Sequence, residues 1–385
     1  MVIYIHIPFC IKKCDYCDFL SFSSDEKTKD AYVEKLVEEI SYYGGIYGRK
    51  GRNENIESVF FGGGTPSALS EHHITSILRT IHNEFNIDKN AEITVECNPG
   101  TLTASKVAAY KEAGVNRISL GLQSTNNDEL KAVGRIHTYE QFLESYNMVR
   151  EAGFNNVNID LMSALPYQTL ESYKETVEKI VKLNPEHISA YSLIVEYGTP
   201  LYYKIRELDE NLQPTGLPDE DTEREMYYMT GRILGEAGYN RYEISNYAKA
   251  GYECKHNTAY WRRIDYIGMG LGASSCVDDV RFKNTSDMEE YMNGTFPVLD
   301  EEETSYLSEN DKMSEFMYLG LRMMEGVYKS DFNRQFGKDF DQIFGDVTVK
   351  MENRELVCVE NDDRIYLTPL GIDVSNTVLA QYLVE

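Results

Sequence analysis

The sequence predicts an α/β protein: a partial (β/α)6 barrel followed by a smaller α+β domain of winged-helix-like pattern. Three observations lead there. Six short, largely apolar runs recur along the first half, and each leads through a Gly or Pro turn into a helical pattern. The runs are apolar almost throughout, as in a parallel sheet covered on its outer side. The alternation stops near residue 205, and a different pattern begins after residue 300.

In chain order, the strand runs are Val2–Ile7, Ile56–Phe61, Ala91–Val95, Arg117–Leu120, Asn156–Leu161 and His187–Leu193. Between them lie the helical patterns Lys27–Tyr43, Glu71–Phe85, Ala104–Ala113, Tyr139–Ala152 and Leu170–Leu183. The first places Ala31, Leu36, Ile40 and Tyr43 near one face, as an amphipathic helix requires. Glu207–Glu225 is acidic and holds Pro214, Gly216 and Pro218, so it reads as a loop entering a helix over Asp221–Ala237. Tyr239–Tyr247 and Ile264–Cys276 read as further strands or glycine-rich turns. Leu299–Glu303 reads as a solvated connection. Beyond it come helices over Asp311–Met324, Lys329–Phe336 and Phe340–Glu352, then a hairpin of Glu355–Val359 and Arg364–Leu367. The expected division is therefore residues 1–290 and 300–385, with function at the C-terminal ends of the barrel strands.

Composition narrows the partners. The chain has 385 residues, 42% hydrophobic and 26% charged, with 38 basic against 63 acidic side chains and a net charge of −25. Such a polyanion is repelled by phosphate backbones and anionic lipid, which excludes nucleic acid as the expected partner, even for a winged-helix-like pattern. No run approaches the ~20 apolar residues of a membrane span. Met1–Pro8 has neither a basic region nor a small-residue cleavage site, so it reads as an immediate strand, not a signal peptide. Seven cysteines, an odd number with three crowded together, favour a reducing cytoplasm and a metal centre over a disulfide framework. A homodimer is compatible with the sequence.

Cys10, Cys14 and Cys17 directly follow the first strand. Thiolates this close suit a soft-metal cluster. Three ligands on a four-iron cubane leave one iron open to an exogenous ligand. Zinc would need a fourth ligand, such as His6 or a distant Cys. A redox reading of Cys14 and Cys17 leaves Cys10 unexplained. Cys97, Cys276 and Cys358 are isolated and read as small buried hydrophobes. Phosphate-loop, serine-elbow and zinc-helix motifs are absent.

The Cys-x3-Cys-x2-Cys spacing, with Tyr16 before the third Cys, resembles that of radical S-adenosylmethionine (SAM) proteins. Gly62-Gly63-Gly64-Thr65-Pro66 is similar to their glycine motif, which contacts the SAM methionine group. The resemblance implies a [4Fe–4S] cluster on the three cysteines with SAM at the open iron. It also implies SAM contacts from Tyr4, Tyr16, Gly63, Gly64, Thr65, Glu96, Gln123, Arg135 and Asp160. Read singly, Glu96, Gln123 and Asp160 are polar residues at apolar strand ends, more often caps than ligand contacts.

Gly134-Arg135-Ile136-His137, Ile159-Asp160-Leu161-Met162 and Gly268–Ala273 extend the resemblance to the coproporphyrinogen III oxidase-like subgroup. Its oxygen-independent oxidases carry a further Cys two residues after the third and an extension before the first strand. Here Phe19 holds that position, and nine residues precede Cys10. His256-Asn257-Thr258-Ala259-Tyr260-Trp261 resembles instead the HNxxYW motif of the subgroup's haem-chaperone branch. That implies haem packed by Tyr260 and Trp261, with His256 on the haem iron. Without the resemblance, His256 reads as a core histidine beside an aromatic anchor. The resemblance further implies transfer of haem to an acceptor haemoprotein, such as a membrane respiratory enzyme. The alternative is a coproporphyrinogen III oxidase, in which a SAM-derived radical drives decarboxylation of porphyrinogen propionates.

Overall fold

The computed structural model describes residues 1–384. Six strands, β1 (Val2–Ile7), β2 (Asn55–Gly63), β3 (Asn86–Cys97), β4 (Arg117–Gln123), β5 (Val157–Ser163) and β6 (His187–Ser192), lie side by side in chain order, and every adjacent pair is parallel. Helices α1 (Glu26–Tyr47), α2 (Glu71–Glu84), α3 (Ala104–Glu112), α4 (Asn127–Ala132), α5 (Tyr139–Glu151) and α6 (Leu170–Leu183) fill the crossovers. This is the expected α/β architecture of a partial barrel. Among the described residues the sheet runs open from end to end, with no pairing between its two outermost strands.

The helix starts follow from side-chain caps. Asp25, Ser70, Thr103, Thr138 and Thr169 each accept a hydrogen bond from a first-turn backbone N–H, and Thr138 with Gln141 forms a reciprocal capping box. On α1 the buried stripe is Tyr32, Leu36, Ile40 and Tyr43, whereas Ala31 is only half-buried. β3 starts five residues earlier than the apolar run suggests. Its half-buried first residues, Asn86 and Ile87, pair with β2 ahead of an irregular register between Ile56 and Ser58.

After β6 the expected loop over Glu207–Glu225 shrinks. Helix α7 (Pro200–Glu210) takes its first part and α8 (Glu220–Glu236) its last, because Thr199 and Asp219 both act as caps. The sheet then gains β7 (Asn240–Arg241) and β8 (Asn246–Ala248) antiparallel beyond β6. Helix α9 (Lys255–Trp261) follows. At the other edge, β9 (Tyr266–Met269) pairs parallel with β1, and β10 (Ser274–Val277), β11 (Val280–Lys283) and β12 (Ser305–Tyr306) continue antiparallel. A short helix, α10 (Met288–Asn293), packs Tyr291 under this edge.

The C-terminal part contains α11 (Glu309–Gly320), β13 (Val327–Tyr328), α12 (Lys329–Phe336), α13 (Phe340–Asn353), β14 (Val357–Glu360) and β15 (Arg364–Leu367). Its antiparallel sheet has three strands, β13-β15-β14, one more than the expected hairpin. Phe332 centres its own core, with the rings of Phe316, Phe336, Phe340 and Phe344 at 4.8–5.6 Å. Glu315, 3% exposed, accepts from Arg263 and Arg281 at 2.7 Å each. That clamp joins α11 to the loop after α9 and to β11.

The candidate site at the strand ends

Side chains on the central strands alternate by face, as the pleat requires. Ile3, Ile5, Val59, Phe61, Ile93, Val95, Ile118, Leu120, Ile159 and Ile188 point outward into the main core. The inward face is polar and aromatic: Tyr4, Phe60, Glu96, Arg117, Ser119, Asn158, Asp160 and Ser189 line one interior cavity. The apolar runs of the sequence are therefore one-sided, and the other side is built for a ligand.

The cysteine loop is tied to this barrel end. Cys10 N–H donates to Phe22 O at 3.0 Å, and Asp15 N–H to Val133 O at 3.1 Å. His6 receives the Tyr4 hydroxyl at Nδ1 (3.1 Å) and donates from Nε2 to Leu20 O (2.9 Å), so a β1 side chain holds the loop's far limb. Cys10, Cys14 and Cys17 are free, half-buried thiols on the wall of one cavity of about 150 Å³. Burial raises the Cys17 thiol above its ordinary pKa. Thr65 Oγ1 lies 3.4 Å from Cys10 Sγ, and Arg135 Nη1 lies 3.6 Å from Cys14 Sγ. Among the described residues no three His, Cys, Asp or Glu side chains converge closely enough for a single metal ion. A cluster makes a different demand, since three of its four irons each take a separate thiolate and the fourth stays open. Three thiols around one cavity, with a cation beside one of them, fit that demand.

Glycine is required where the backbone meets this loop. Gly63 has φ +107°, and a Cβ there would lie 2.5 Å from the His6 ring. A Cβ on Gly64 would lie 3.1 Å from Cys10 Sγ and closer still to two backbone carbonyls. The glycine motif thus brings bare backbone against the thiols.

Of the remaining predicted SAM residues all but Tyr4 share the cavity, and Tyr4 lines the neighbouring interior one. Tyr16, Glu96, Gln123, Arg135 and Asp160 all line the first of these with the cysteines. Gln123 sits at φ +75°, where β4 bulges against β5, and its Oε1 is buried without a partner. Arg135 donates to Asn98 Oδ1 at 2.9 Å and to Gly121 O, yet its Nε has no partner. Unsatisfied buried atoms of both polarities suit a zwitterionic ligand such as SAM. Burial, reinforced by the Asp160 charge, pushes the Glu96 carboxyl up to about 8. Burial also raises Asp160, against hydrogen bonds from Asn158 and Ser189. Asp160 is not the end of its strand, which runs on to Ser163.

His256, Tyr260 and Trp261 come together on α9, against β2. His256 is 2% exposed and stacks on Phe60 with ring centroids 4.8 Å apart. Ser58 Oγ is 2.9 Å from its Nδ1, and the Tyr260 hydroxyl is 3.1 Å from its Nε2. Burial, with the Arg117 charge second, holds the imidazole down to about 3, hence neutral at pH 7. Tyr260 and Trp261 also wall a cavity of about 680 Å³ shared with Tyr191, Glu223, Arg322 and Asp373. Arg322 stacks on Trp261 at 4.4 Å, and Trp261 Nε1 is buried without a partner. The other cysteines divide. Cys97, Cys254 and Cys276 are buried, whereas Cys358 is only half-buried on its two-faced hairpin.

Asn98, which does not stand out in the sequence, joins Thr65 (2.8 Å) to Arg135, and His6, weighed there only as a zinc ligand, anchors the cysteine loop. Arg117, 2% exposed, is a third such residue. Its signal was a charge inside an apolar strand.

Fold and site together describe an α/β barrel protein with a thiol-bearing mouth. Residues 4–180 match the Radical SAM superfamily, and residues 307–374 match the HemN C-terminal domain. The chain is 36% identical to "Heme chaperone HemW" of Lactococcus lactis, covering 99% of this chain and 97% of that one. It is 35% identical to the protein of that name from Bacillus subtilis, over 99% of both chains. The solved structure of coproporphyrinogen III oxidase (HemN) from Escherichia coli superposes with a TM-score of 0.84 at 22% identity, covering 99% of this chain and 89% of that one. The chain belongs to the radical SAM superfamily and, within it, to the HemW family. Membership carries a [4Fe–4S] cluster and SAM as cofactors.

Proposed function

We propose that this protein is a haem chaperone that binds a [4Fe–4S] cluster, SAM and haem and delivers haem to an acceptor haemoprotein. Cys10, Cys14 and Cys17 hold the cluster. Tyr4, Tyr16, Gly63, Gly64, Thr65, Glu96, Gln123, Arg135 and Asp160 hold SAM. The observation that carries the haem reading is the pairing of His256 with the aromatic cavity beside it. Ser58 fixes the Nδ1 side of the ring and leaves Nε2 as the coordinating nitrogen, in the way an outer partner orients a metal-ligating imidazole. Tyr260 covers Nε2, so its hydroxyl would have to give way where iron binds. Trp261 then packs the porphyrin face in the 680 Å³ cavity, a size in the usual range for cofactor sites. Bound haem would supply an iron that a neutral imidazole can ligate.

Relatives named "Heme chaperone HemW" that match over the whole chain support this reading. In the same proposal the acceptor is a membrane respiratory haemoprotein and the compartment is the cytoplasm, with seven free cysteines as support for the latter. Among the described residues no helix is long and apolar enough to cross a membrane. The proposed domain division, residues 1–290 and 300–385, is supported by two separate hydrophobic cores. The protein is proposed not to be an enzyme. Haem and coproporphyrinogen III should be offered in parallel under anaerobic, reducing conditions with SAM. Haem binding without decarboxylation is expected, and turnover to protoporphyrinogen would overturn the proposal.

A further inference from the structure

Arg117 is a buried charge that none of the proposed site roles above uses. It is 2% exposed, on the inward face of β4, and its Nε is buried without a partner. No hydrogen bond or ion pair to it occurs among the described residues. Glu92 and Asp160 are near enough to favour its charged form, but neither reaches the guanidinium. Glu92 is instead engaged by Cys254 Sγ and the His256 N–H. Asp160 is engaged by Asn158. A buried guanidinium left this way is costly unless an anion completes it, and its planar fork suits a carboxylate.

The cavity that Arg117 faces, about 230 Å³, identifies the anion's carrier. It shares Tyr191, Asn257 and Tyr260 with the 680 Å³ cavity proposed for haem. It shares Glu96, Gly63 and Asp160 with the cysteine-lined one. A flat ligand lying against Tyr260 and Trp261 would extend an acidic side arm toward Arg117 across the wall that the two cavities share.

We propose that Arg117 binds a propionate of a tetrapyrrole seated beside Tyr260 and Trp261, and so selects ligands that carry free carboxylates. This inference rests on the haem reading above. A charge-assisted pair of this kind is worth about tenfold to a hundredfold in affinity.

The test uses the full chain with its cluster reconstituted, titrated with haem, haem dimethyl ester and SAM. The wild-type protein should bind haem at least about tenfold more tightly than the ester. Arg117→Gln should bind both at the ester's level, and Arg117→Lys should restore part of the preference. SAM affinity should stay within about twofold, and cluster iron on the same samples reports folding. If Arg117→Gln does not fold, the wild-type comparison and the Lys variant decide. Equal binding of haem and ester by wild-type protein overturns the inference. So does a preference that survives in Arg117→Gln, or a loss of SAM affinity with the haem preference intact. Failure of wild-type protein to bind either tetrapyrrole overturns the haem reading itself, a separate result.

Discussion

The cysteine mouth and the His256 corner are neighbours, but they are satisfied to very different degrees. At the mouth, Gln123 Oε1 and Arg135 Nε are buried without partners, and three thiols face open space. At the corner, both nitrogens of His256 are already paired, to Ser58 and Tyr260. One site is preorganised, with unmet hydrogen-bonding capacity that a ligand completes. The other is closed, and a ligand must displace an internal hydrogen bond to enter. A cofactor that resides suits the first arrangement, and a cargo that must leave suits the second.

The contrast is broken most severely at the thiols. Replacing Cys10, Cys14 and Cys17 together by Ala should take iron after anaerobic reconstitution from about four per chain to none, with helical content unchanged by circular dichroism. A smaller effect separates the mouth by pH. Glu96 has its carboxyl pKa raised in the fold to about 8 from an ordinary 4.5. The native state therefore binds more protons than the unfolded state between those values, and this contribution to stability is lost as pH rises from about 4.5 to 8. Denaturant titrations of cofactor-free protein should show wild type losing about 2–4 kcal/mol relative to Glu96→Gln across that window.

Gly63→Ala tests the close approach of backbone and loop. Its left-handed φ and the His6 ring at 2.5 Å should together cost about 1–3 kcal/mol and weaken SAM binding, read by thermal melts and equilibrium dialysis. The smallest expected effect sharpens the closed side. Tyr260→Phe removes the hydroxyl over Nε2 but keeps the ring, so haem affinity should rise by about two- to tenfold. A fall in affinity would mean that Tyr260 holds haem and does not merely cover its ligand.

The parts of this molecule that sequence reveals are the local ones. Cys10, Cys14 and Cys17 lie within eight residues, and Gly62–Gly64 adjoin one strand end. The strands were visible because their outward rows, such as Ile3-Ile5-Ile7 and Ile118-Leu120, are continuous in the core. Their inward rows were not, because Arg117, Asn158 and His187 alternate with strongly apolar neighbours that dominate a short window. Partners were hidden by distance along the chain: Ser58 and His256 are 198 positions apart, Cys14 and Arg135 are 121. The short helices α4, α9 and α10 span too few turns to show a period, and β13 has two residues. The pairing of Tyr260 with His256 is the case that matters most for function. The motif brings the residues together in sequence, but only the geometry shows that one covers the other.

Ligation of haem iron by His256 decides whether the corner beside α9 is a haem site. Wild-type and His256→Ala proteins, each with reconstituted cluster, should be titrated with haem and followed by absorption spectroscopy, with cluster iron assayed on the same samples. A displaced Soret band and weaker binding are expected in His256→Ala, with iron at the wild-type level. An unchanged haem spectrum in His256→Ala, with the cluster intact, would contradict ligation by His256.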